Sequence, residues 1–310
     1  MKKSNVIIKI CLIVGIISLI VGGLIFTLAM TANKWNFGVL ASHRVEAKVE
    51  EIAEADTVKA ITIEDSTAEV KVIYHDEQKI TVEGYELKTI KGKLIKSVVS
   101  RVNEEGELIV KTERVENQIF EIGTDGKRAI TVKIPKDMAI KLKVSLSTGD
   151  VIIGEKDQDY TFNEIDVTTS TGDVFINANV TAKSLRVERS TGEVYINGKV
   201  TADVFESEAT SGDLIINASV VAGNIDIEHD TGDVKCKAFI TADKFDIETS
   251  TGDVSLKLLG AKEDYTLICD ISTGKSNPLP YLGGNKLIEI EISTGDLDIV
   301  FEKGYVTTRD

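Results

Sequence analysis

The stretch that decides the fold is Ser170-Thr171-Gly172-Asp173-Val174-Phe175-Ile176, because close copies of it recur throughout the second half of the chain. The copies are marked by Gly149, Gly172, Gly192, Gly212, Gly232, Gly252, Gly274 and Gly295. Successive glycines are 23, 20, 20, 20, 20, 22 and 21 residues apart. A period near twenty residues is typical of stacked repeats, in which each unit buries its apolar side against its neighbours.

Apolar residues alternate with polar ones on both sides of each glycine. In the unit around Gly172 the apolar positions are Ile165, Val167, Val174 and Ile176. Alternation with a period of two, rich in β-branched residues, predicts half-buried strands joined by the Thr-Gly-Asp turn. The sequence therefore predicts an all-β fold, a parallel β-solenoid with about 20 residues and two strands per rung, whose rungs stack ~4.8 Å apart.

A second corner of each unit carries small residues, at Ala178, Gly198, Ala218 and Ala238. Small side chains there predict a tight turn around a narrow core. Cys236 and Cys269 both fall on inward positions. They are either buried free cysteines or a disulfide pair. Upstream of the regular units, residues 65–70 resemble an early copy of the repeat.

The N-terminal segment differs in kind from the repeats. Lys2, Lys3 and Lys9 precede an uncharged, apolar run over residues 10–33, long enough as a helix to cross a ~30 Å bilayer core. A cleaved signal peptide is the alternative, but its apolar region is usually only ~7–15 residues long. We therefore expect a single-pass anchor that contacts the membrane through residues 6–33. The lysines predict a cytoplasmic N-terminus and an extracellular repeat domain.

Five regions follow from these patterns. They are a cytoplasmic tip and transmembrane anchor over 1–33, a partly helical stalk over 34–55, an N-terminal cap with degenerate rungs over 56–140, regular solenoid repeats over 141–301, and a tail over 302–310. Atypical sequence in the cap is expected, because the terminal units of a solenoid must close an open sheet edge.

Composition limits the partners. The formal charge is −14, from 36 basic and 50 acidic side chains. Such a surface repels nucleic acid and anionic lipid head groups, so no nucleic-acid partner is expected.

One carboxylate follows the glycine in most units. This turn column contains Asp150, Asp173, Glu193, Asp213, Asp233, Asp253 and Asp296, and Lys275 interrupts it. Stacked rungs would bring these acids within bridging distance of a cation, but calcium needs six to eight oxygen ligands and one acid per rung supplies too few. We therefore expect turn capping rather than specific calcium binding, and no metal site.

Three further columns point outward. The first column is acidic and either is a solvated face or attracts a basic partner. It contains Asp166, Asp226, Asp246, Glu188, Glu208, Glu228, Glu248 and Glu291. The second is apolar, with Ile152, Phe175, Tyr195 and Ile215, and either packs under a loop of the cap or binds a partner. The third, with Asn177, Asn197 and Asn217, predicts a ladder of structural hydrogen bonds.

No catalytic pattern is present. The histidines, His43, His75 and His229, lie apart in the sequence and form no Ser-His-Asp or Cys/His metal spacing. Every rung offers the same acids, whereas a glycoside-cleaving site requires one rung that differs. We expect no catalytic residues, no cofactor and no enzymatic activity.

The motif also carries a family resemblance. The segment Ile134-Pro135, followed by alternating residues from Leu142 to Ser147-Thr148-Gly149-Asp150-Val151, resembles the start of the repeats in the bacterial "putative adhesin" family of membrane-anchored β-strand-repeat proteins. The resemblance covers about residues 55–301. It implies a surface protein of a Gram-positive-type bacterium, in some members linked to cell-envelope stress regulation, and implies no catalytic or ligand-binding residue.

These observations favour a non-enzymatic, membrane-anchored, adhesin-like protein of the cell envelope that binds another protein or a wall polymer. One alternative is an accessory component of an envelope-stress sensing system that acts through protein–protein contacts. A further alternative is a scaffold that associates end to end into filaments.

Overall fold

The computed structural model describes residues 2–32, 43–52, 55–116, 124–136 and 138–302. They form one N-terminal helix, α1 (Lys2–Ala32), two short 3₁₀ turns at Ala55–Thr57 and Lys262–Asp264, and 25 strands in one continuous sheet. The predicted all-β solenoid with an N-terminal apolar helix is confirmed.

Helix α1 has 31 residues, which corresponds to about 46 Å at 1.5 Å per residue. Its apolar part, Val14–Ala32, is long enough to cross a bilayer. Both an anchor and a signal sequence contain such a helix, so the crossing itself stays a prediction.

The regular coil begins at the ninth strand. Its strands are β9 (Ile140–Thr148), β10 (Val151–Ile153), β11 (Asp159–Thr171), β12 (Val174–Ile176), β13 (Asn179–Thr191), β14 (Val194–Ile196), β15 (Val200–Ser211), β16 (Leu214–Ile216), β17 (Val220–Thr231), β18 (Val234–Cys236), β19 (Ile240–Thr241), β20 (Lys244–Thr251) and β21 (Val254–Leu259), with β1–β8 preceding them in the cap. The pairs between neighbouring rungs are parallel, for example Val174 beside Val194, and are in register except for a bulge between Phe162 and Glu164 where β11 pairs with β9. The Thr-Gly-Asp turns therefore align along one side of the coil.

The rungs that begin with β11, β13, β15 and β17 each have one long strand, of 12 or 13 residues, and one short strand of three residues. Pairing of β13 with β15 skips Lys183 and Asp203, and pairing of β15 with β17 skips Asp203 and Gly223. The long strand therefore changes direction once in its course, five residues beyond the corner of small residues, which forms the turn between the short strand and the next long strand.

The core runs along the inside of the coil. The predicted inward positions of the Gly172 rung, Ile165, Val167, Val174 and Ile176, have no solvent exposure. Cys236 is buried, Cys269 is half-buried, and both are free thiols.

The N-terminal cap closes one end of the coil. Its strands are β1 (His43–Ile52), β2 (Ala60–Asp65), β3 (Glu69–His75), β4 (Ile80–Thr89), β5 (Leu94–Val102), β6 (Glu107–Arg114), β7 (Thr124–Asp125) and β8 (Ala129–Pro135). β2 and β3 form a rung between the coil and the outer strands, because they pair with β9 and β10 on one side and with β6 and β8 on the other. Residues 65–70 thus are the corner of an early repeat.

β4 crosses the open end of the coil. Residues 81–83 pair with β8, residues 86–88 pair with β5, and β5 pairs with β6. The strands β8, β4, β5 and β6 are thus hydrogen-bonded in sequence around the end of the coil. Among the described strands, no unpaired strand edge borders the core at this end.

Part of the predicted stalk is a strand. Residues 43–52 form β1, which pairs antiparallel with β4 along its whole length, so the helical expectation is wrong there. The alternating segment Arg44-Val45-Glu46-Ala47-Lys48 suits a sheet edge, whose exposed charges discourage further pairing. The rest of the predicted stalk, at 34–42 and 53–54, and the tail beyond residue 302 lie outside the described residues.

The C-terminal rungs are stacked out of sequence order. The last strands are β22 (Tyr265–Thr273), β23 (Ser276–Asn277), β24 (Lys286–Thr294) and β25 (Leu297–Glu302). β24 lies between β20 and β22, and β25 lies between β21 and β23. The rung of Gly295 is therefore inside the stack, and the rung of Gly274 is the terminal one.

Candidate functional site

The turn column is built for stacking. Gly172 has φ +146°, and a Cβ there would lie 2.1 Å from the carbonyl oxygen of Gly149 in the rung below. Both the left-handed backbone and the close approach require glycine. The repeated glycine is thus explained by packing alone.

The turn carboxylates accept hydrogen bonds from the next rung. Asp173 N–H donates to Asp150 Oδ1 at 3.0 Å, and Asp253 N–H donates to Asp233 Oδ1 at 2.8 Å. The same pattern links Asp253 to Asp296, and Asp296 to the amide of Lys275. Lys275 has no carboxylate, so the ladder ends at the terminal rung.

This arrangement occupies one oxygen of most turn carboxylates. Within the described ranges, no group of three or more His, Cys, Asp or Glu side chains is placed to hold a metal ion. The turn capping that we expected is present, and the absence of specific calcium binding stays a prediction.

The acidic face lies on the exposed side of the long strands. We define it as Glu188, Glu206, Glu208, Asp226, Glu228, Asp246, Glu248, Asp270, Glu289 and Glu291. In-register pairing sets Glu208 beside Glu228, Glu228 beside Glu248, and Glu248 beside Glu291. Like charges therefore repeat at the rung spacing of ~4.8 Å.

Two cations neutralise only parts of the acidic face. Arg186 contacts Glu206 at 3.5 Å and Glu208 at 3.2 Å. Lys244 contacts Asp246 at 2.8 Å and Glu289 at 3.2 Å. Among the described residues, Asp226, Glu228, Glu248, Asp270 and Glu291 form no ion pair. Uncompensated negative charge is thus concentrated toward the C-terminal rungs.

The pKa values of two of these carboxyls reflect the crowding. Partial burial and, after it, the charge of Asp246 raise the pKa of Asp226. Partial burial and then Glu291 and Glu228 raise the pKa of Glu248. A positive partner at this face would relieve the repulsion that raises both values.

The apolar column is a half-buried strip of the short-strand sheet. The ring centroids of Phe175 and Tyr195 are 5.0 Å apart with an interplanar angle of 1°, so the rings stack face to face from rung to rung. The hydroxyl of Tyr195 donates to Glu193, which raises the pKa of Tyr195 to about 12. Ile152 pairs with Lys71 of β3 on its other side. The cap therefore continues the same sheet beside the strip.

The asparagine ladder is confirmed. Asn217 Nδ2 donates to Asn197 Oδ1, and Asn197 Nδ2 donates to Asn177 Oδ1, both at 2.8 Å. The amides satisfy one another between rungs, which matches the structural role expected from the sequence.

A buried polar cluster inside the coil was not predicted from the sequence. Arg189 is 3% exposed and donates to the carbonyls of Gly192, Gly212 and Asp213 at 2.9–3.1 Å. Burial lowers the pKa of Arg189 to about 10, so the guanidinium stays charged at neutral pH. Arg189 lies three residues before the turn glycine, at a position that points inward by the same alternation as the core residues. That alternation is the sequence signal that could have predicted its burial.

Ser207 and His229 complete this cluster. Ser207 Oγ lies 3.2 Å from His229 Nε2, and His229 is 1% exposed. Burial and then the charge of Arg189 lower the pKa of His229 to about 3. Its Nδ1 has no hydrogen-bond partner among the described residues. The imidazole is therefore neutral and enclosed.

The chain is similar to several solved bacterial structures. A "putative lipid binding protein" from Parabacteroides distasonis is 16% identical, with 83% of this chain and 97% of that chain covered and a TM-score of 0.48. A "putative adhesin" from Bacteroides fragilis is 14% identical, with 82% and 97% covered and a TM-score of 0.46. No curated protein matches the chain in sequence.

The sequence model of the Toastrack DUF4097 family matches residues 58–277, from the first strand of the cap rung to the terminal rung of the coil. The match spans well over half of the 310 residues. The chain therefore belongs to the Toastrack DUF4097 family.

Proposed function

We propose that this protein is a non-enzymatic, adhesin-like protein of the cell envelope, anchored in the membrane through residues 6–33. Its N-terminus lies in the cytoplasm, and the solenoid is presented outside the cell. The apolar part of α1 supports the anchor, and Lys2, Lys3 and Lys9 before it support the orientation. The partner is a protein or wall polymer that carries basic groups.

The acidic face is the observation that carries this proposal. Its carboxylates stand on one sheet that is fixed by in-register pairing on both sides of each inner strand. A fixed array of one charge sign speeds the encounter with an oppositely charged partner and sets its register. Asp226, Glu228 and Glu248 supply the charge that Arg186 and Lys244 leave unpaired.

The Ser207–His229 contact lacks the properties of a catalytic pair. A general base needs a pKa near the working pH and access to the substrate. His229 has a pKa of about 3 and is buried, so this contact does not activate Ser207 as a nucleophile.

The proposal is tested with the full chain in detergent micelles and two peptides, octalysine and octaglutamate. We expect octalysine to bind and octaglutamate not to bind. Replacing Glu228, Glu248 and Glu291 with Gln should weaken octalysine binding at least tenfold at low salt, because these residues have no cation beside them.

A matched variant carries Gln at Glu104, Glu105 and Glu263, which are exposed acids away from the acidic face. It removes the same charge and should change the affinity less than twofold. Equal weakening in both variants would mean that only net charge matters, and the proposed binding face would be wrong.

A further inference from the structure

A second recessed surface lies where the cap meets the coil. We call it the cap groove; it has a volume of about 490 Å³ and is lined by residues of β2, the β2–β3 turn, β4, β5, β6, β9 and β11. Its volume falls in the range of small-ligand sites, ~300–1,000 Å³. It is separate from the acidic face, so a ligand bound here would add to the proposed function.

The long-strand sheet becomes less negative at this groove, whose lining has three cations and two acids. The column that holds Glu188 and Glu208 in the coil continues through Thr168, Ser145 and Glu64 to Lys111 in β6. At ~4.8 Å per rung, Lys111 is ~19 Å from Glu188. That distance exceeds the ~10 Å screening length at 0.1 M salt, so the acidic face does not cancel the local field.

Three cationic side chains line the groove. Lys96 and Arg114 are direct cross-strand partners in β5 and β6. Lys111 also lines it and lies 3.5 Å from Glu113. Arg114 is exposed and forms no ion pair within the described ranges, which leaves its guanidinium available to an anion.

The buried carboxylate of the groove is already satisfied. Asp65 Oδ1 accepts from the amides of Thr67 and Ala68 at 2.7 and 2.8 Å. Asp65 Oδ2 accepts from the Tyr85 hydroxyl at 3.0 Å and from the Thr112 hydroxyl. Asp65 therefore holds the groove wall together, and of the two acids in the lining only Glu64 is open to solvent.

Hydroxyl groups make up much of the remaining lining. Ser66, Thr67, Ser145, Ser147 and Thr168 contribute side chains that both donate and accept hydrogen bonds. Such a lining suits a ligand with several hydroxyl groups of its own. An arginine fork with two nearby lysines suits a phosphate, whose oxygens accept paired hydrogen bonds.

We propose that the cap groove binds a sugar or polyol that carries a phosphate group. The phosphate contacts Arg114, Lys111 and Lys96, and the hydroxyl groups of the ligand contact the serine and threonine side chains of the β2–β3 turn, β9 and β11.

The test is calorimetric titration of the full chain in detergent micelles with glucose 6-phosphate, inorganic phosphate and glucose at about 50 mM salt, where screening is weak. We expect glucose 6-phosphate to bind at least tenfold more tightly than inorganic phosphate, and glucose to give no measurable binding. Comparable affinities for the two phosphates would overturn the proposal, because the hydroxyl-rich wall would then contribute nothing.

The variant K111Q/R114Q should weaken glucose 6-phosphate binding at least tenfold. Its matched control is K183Q/K237Q, which removes two exposed lysines of the coil and should change the affinity less than twofold. Octalysine binding by the K111Q/R114Q variant should be unchanged, which verifies its fold. Equal loss of glucose 6-phosphate binding in the two variants would contradict the assignment of the groove.

Discussion

The two ends of the coil are closed in different ways. At the N-terminal end, β4 joins β5 and β8 through backbone hydrogen bonds. At the C-terminal end, β22 has a neighbour among the described strands on one side only, and a single antiparallel bridge from Leu267 to Tyr281 covers part of its other edge. The N-terminal closure is therefore part of the sheet, whereas the C-terminal closure is a loop laid over it.

This difference predicts unequal local stability. Backbone pairing in a closed circuit opens only when several strands separate together, so the cap should unfold with the coil. The loop at residues 278–285 is held by a few hydrogen bonds and by Tyr281, so it should open by itself.

The largest effect is expected from G84A in β4. A Cβ at Gly84 would lie 2.6 Å from Val98 Cβ, at the point where β4 changes partner from β8 to β5. We expect a loss of about 2–3 kcal/mol in the free energy of unfolding, measured by urea denaturation, because the contact forces the closing strands apart.

The control is G92A, which is also a glycine-to-alanine change, but at a site where no atom lies within 4 Å of the new Cβ. Its positive φ should cost about 1 kcal/mol. A G84A variant no less stable than G92A would show that the cap closure is looser than its pairing implies.

A smaller effect is expected from Y281A at the other end. Tyr281 donates to the Lys262 carbonyl at 3.2 Å, lies under the Lys262 ammonium and contacts the Phe301 ring edge. Its loss should cost about 1–2 kcal/mol and speed amide hydrogen exchange in β22, with exchange in β2 unchanged.

The control for this variant is L282A, because Leu282 is 89% exposed and its truncation removes little packing. Its exchange rates should match those of the parent protein. Parallel acceleration of β2 and β22 in Y281A would mean that the two ends unfold as one unit.

The smallest effects concern the turn ladder. D253A removes the acceptor of the Asp296 amide in the interior of the stack and should lower the free energy of unfolding by about 1 kcal/mol.

K275D should change the free energy of unfolding by less than about 0.5 kcal/mol, because the new carboxylate of the terminal rung has no further amide to accept from among the described residues. Sedimentation should give the same size for K275D and the parent protein; filaments in either would contradict the closure of both ends.

The coil was predictable from sequence, but the order of its rungs was not. Ile165, Val167, Val174 and Ile176 showed their inward positions by alternation alone, since one face of each strand is buried. The exchanged order of the Gly274 and Gly295 rungs produces no pattern in the sequence. Each rung presents nearly the same edge, so the period fits either order.

The surfaces were predictable to different degrees. Asn177, Asn197 and Asn217 formed the expected ladder because identical side chains at one column meet in any in-register stack. The cap groove was not predicted, because Lys96 lies beside Arg114 only through the antiparallel pairing of β5 with β6. No repeat in the sequence encodes that pairing.

β24 and β25, the last described strands of the chain, connect the terminal rung to the rest of the coil. β22 and β23 are made earlier during synthesis, yet among the described strands their neighbours are β24 and β25 alone. A chain cut after residue 285 would thus lose two layers rather than one. In the final order of the stack, residues 265–277 pair with the coil only through residues 286–302.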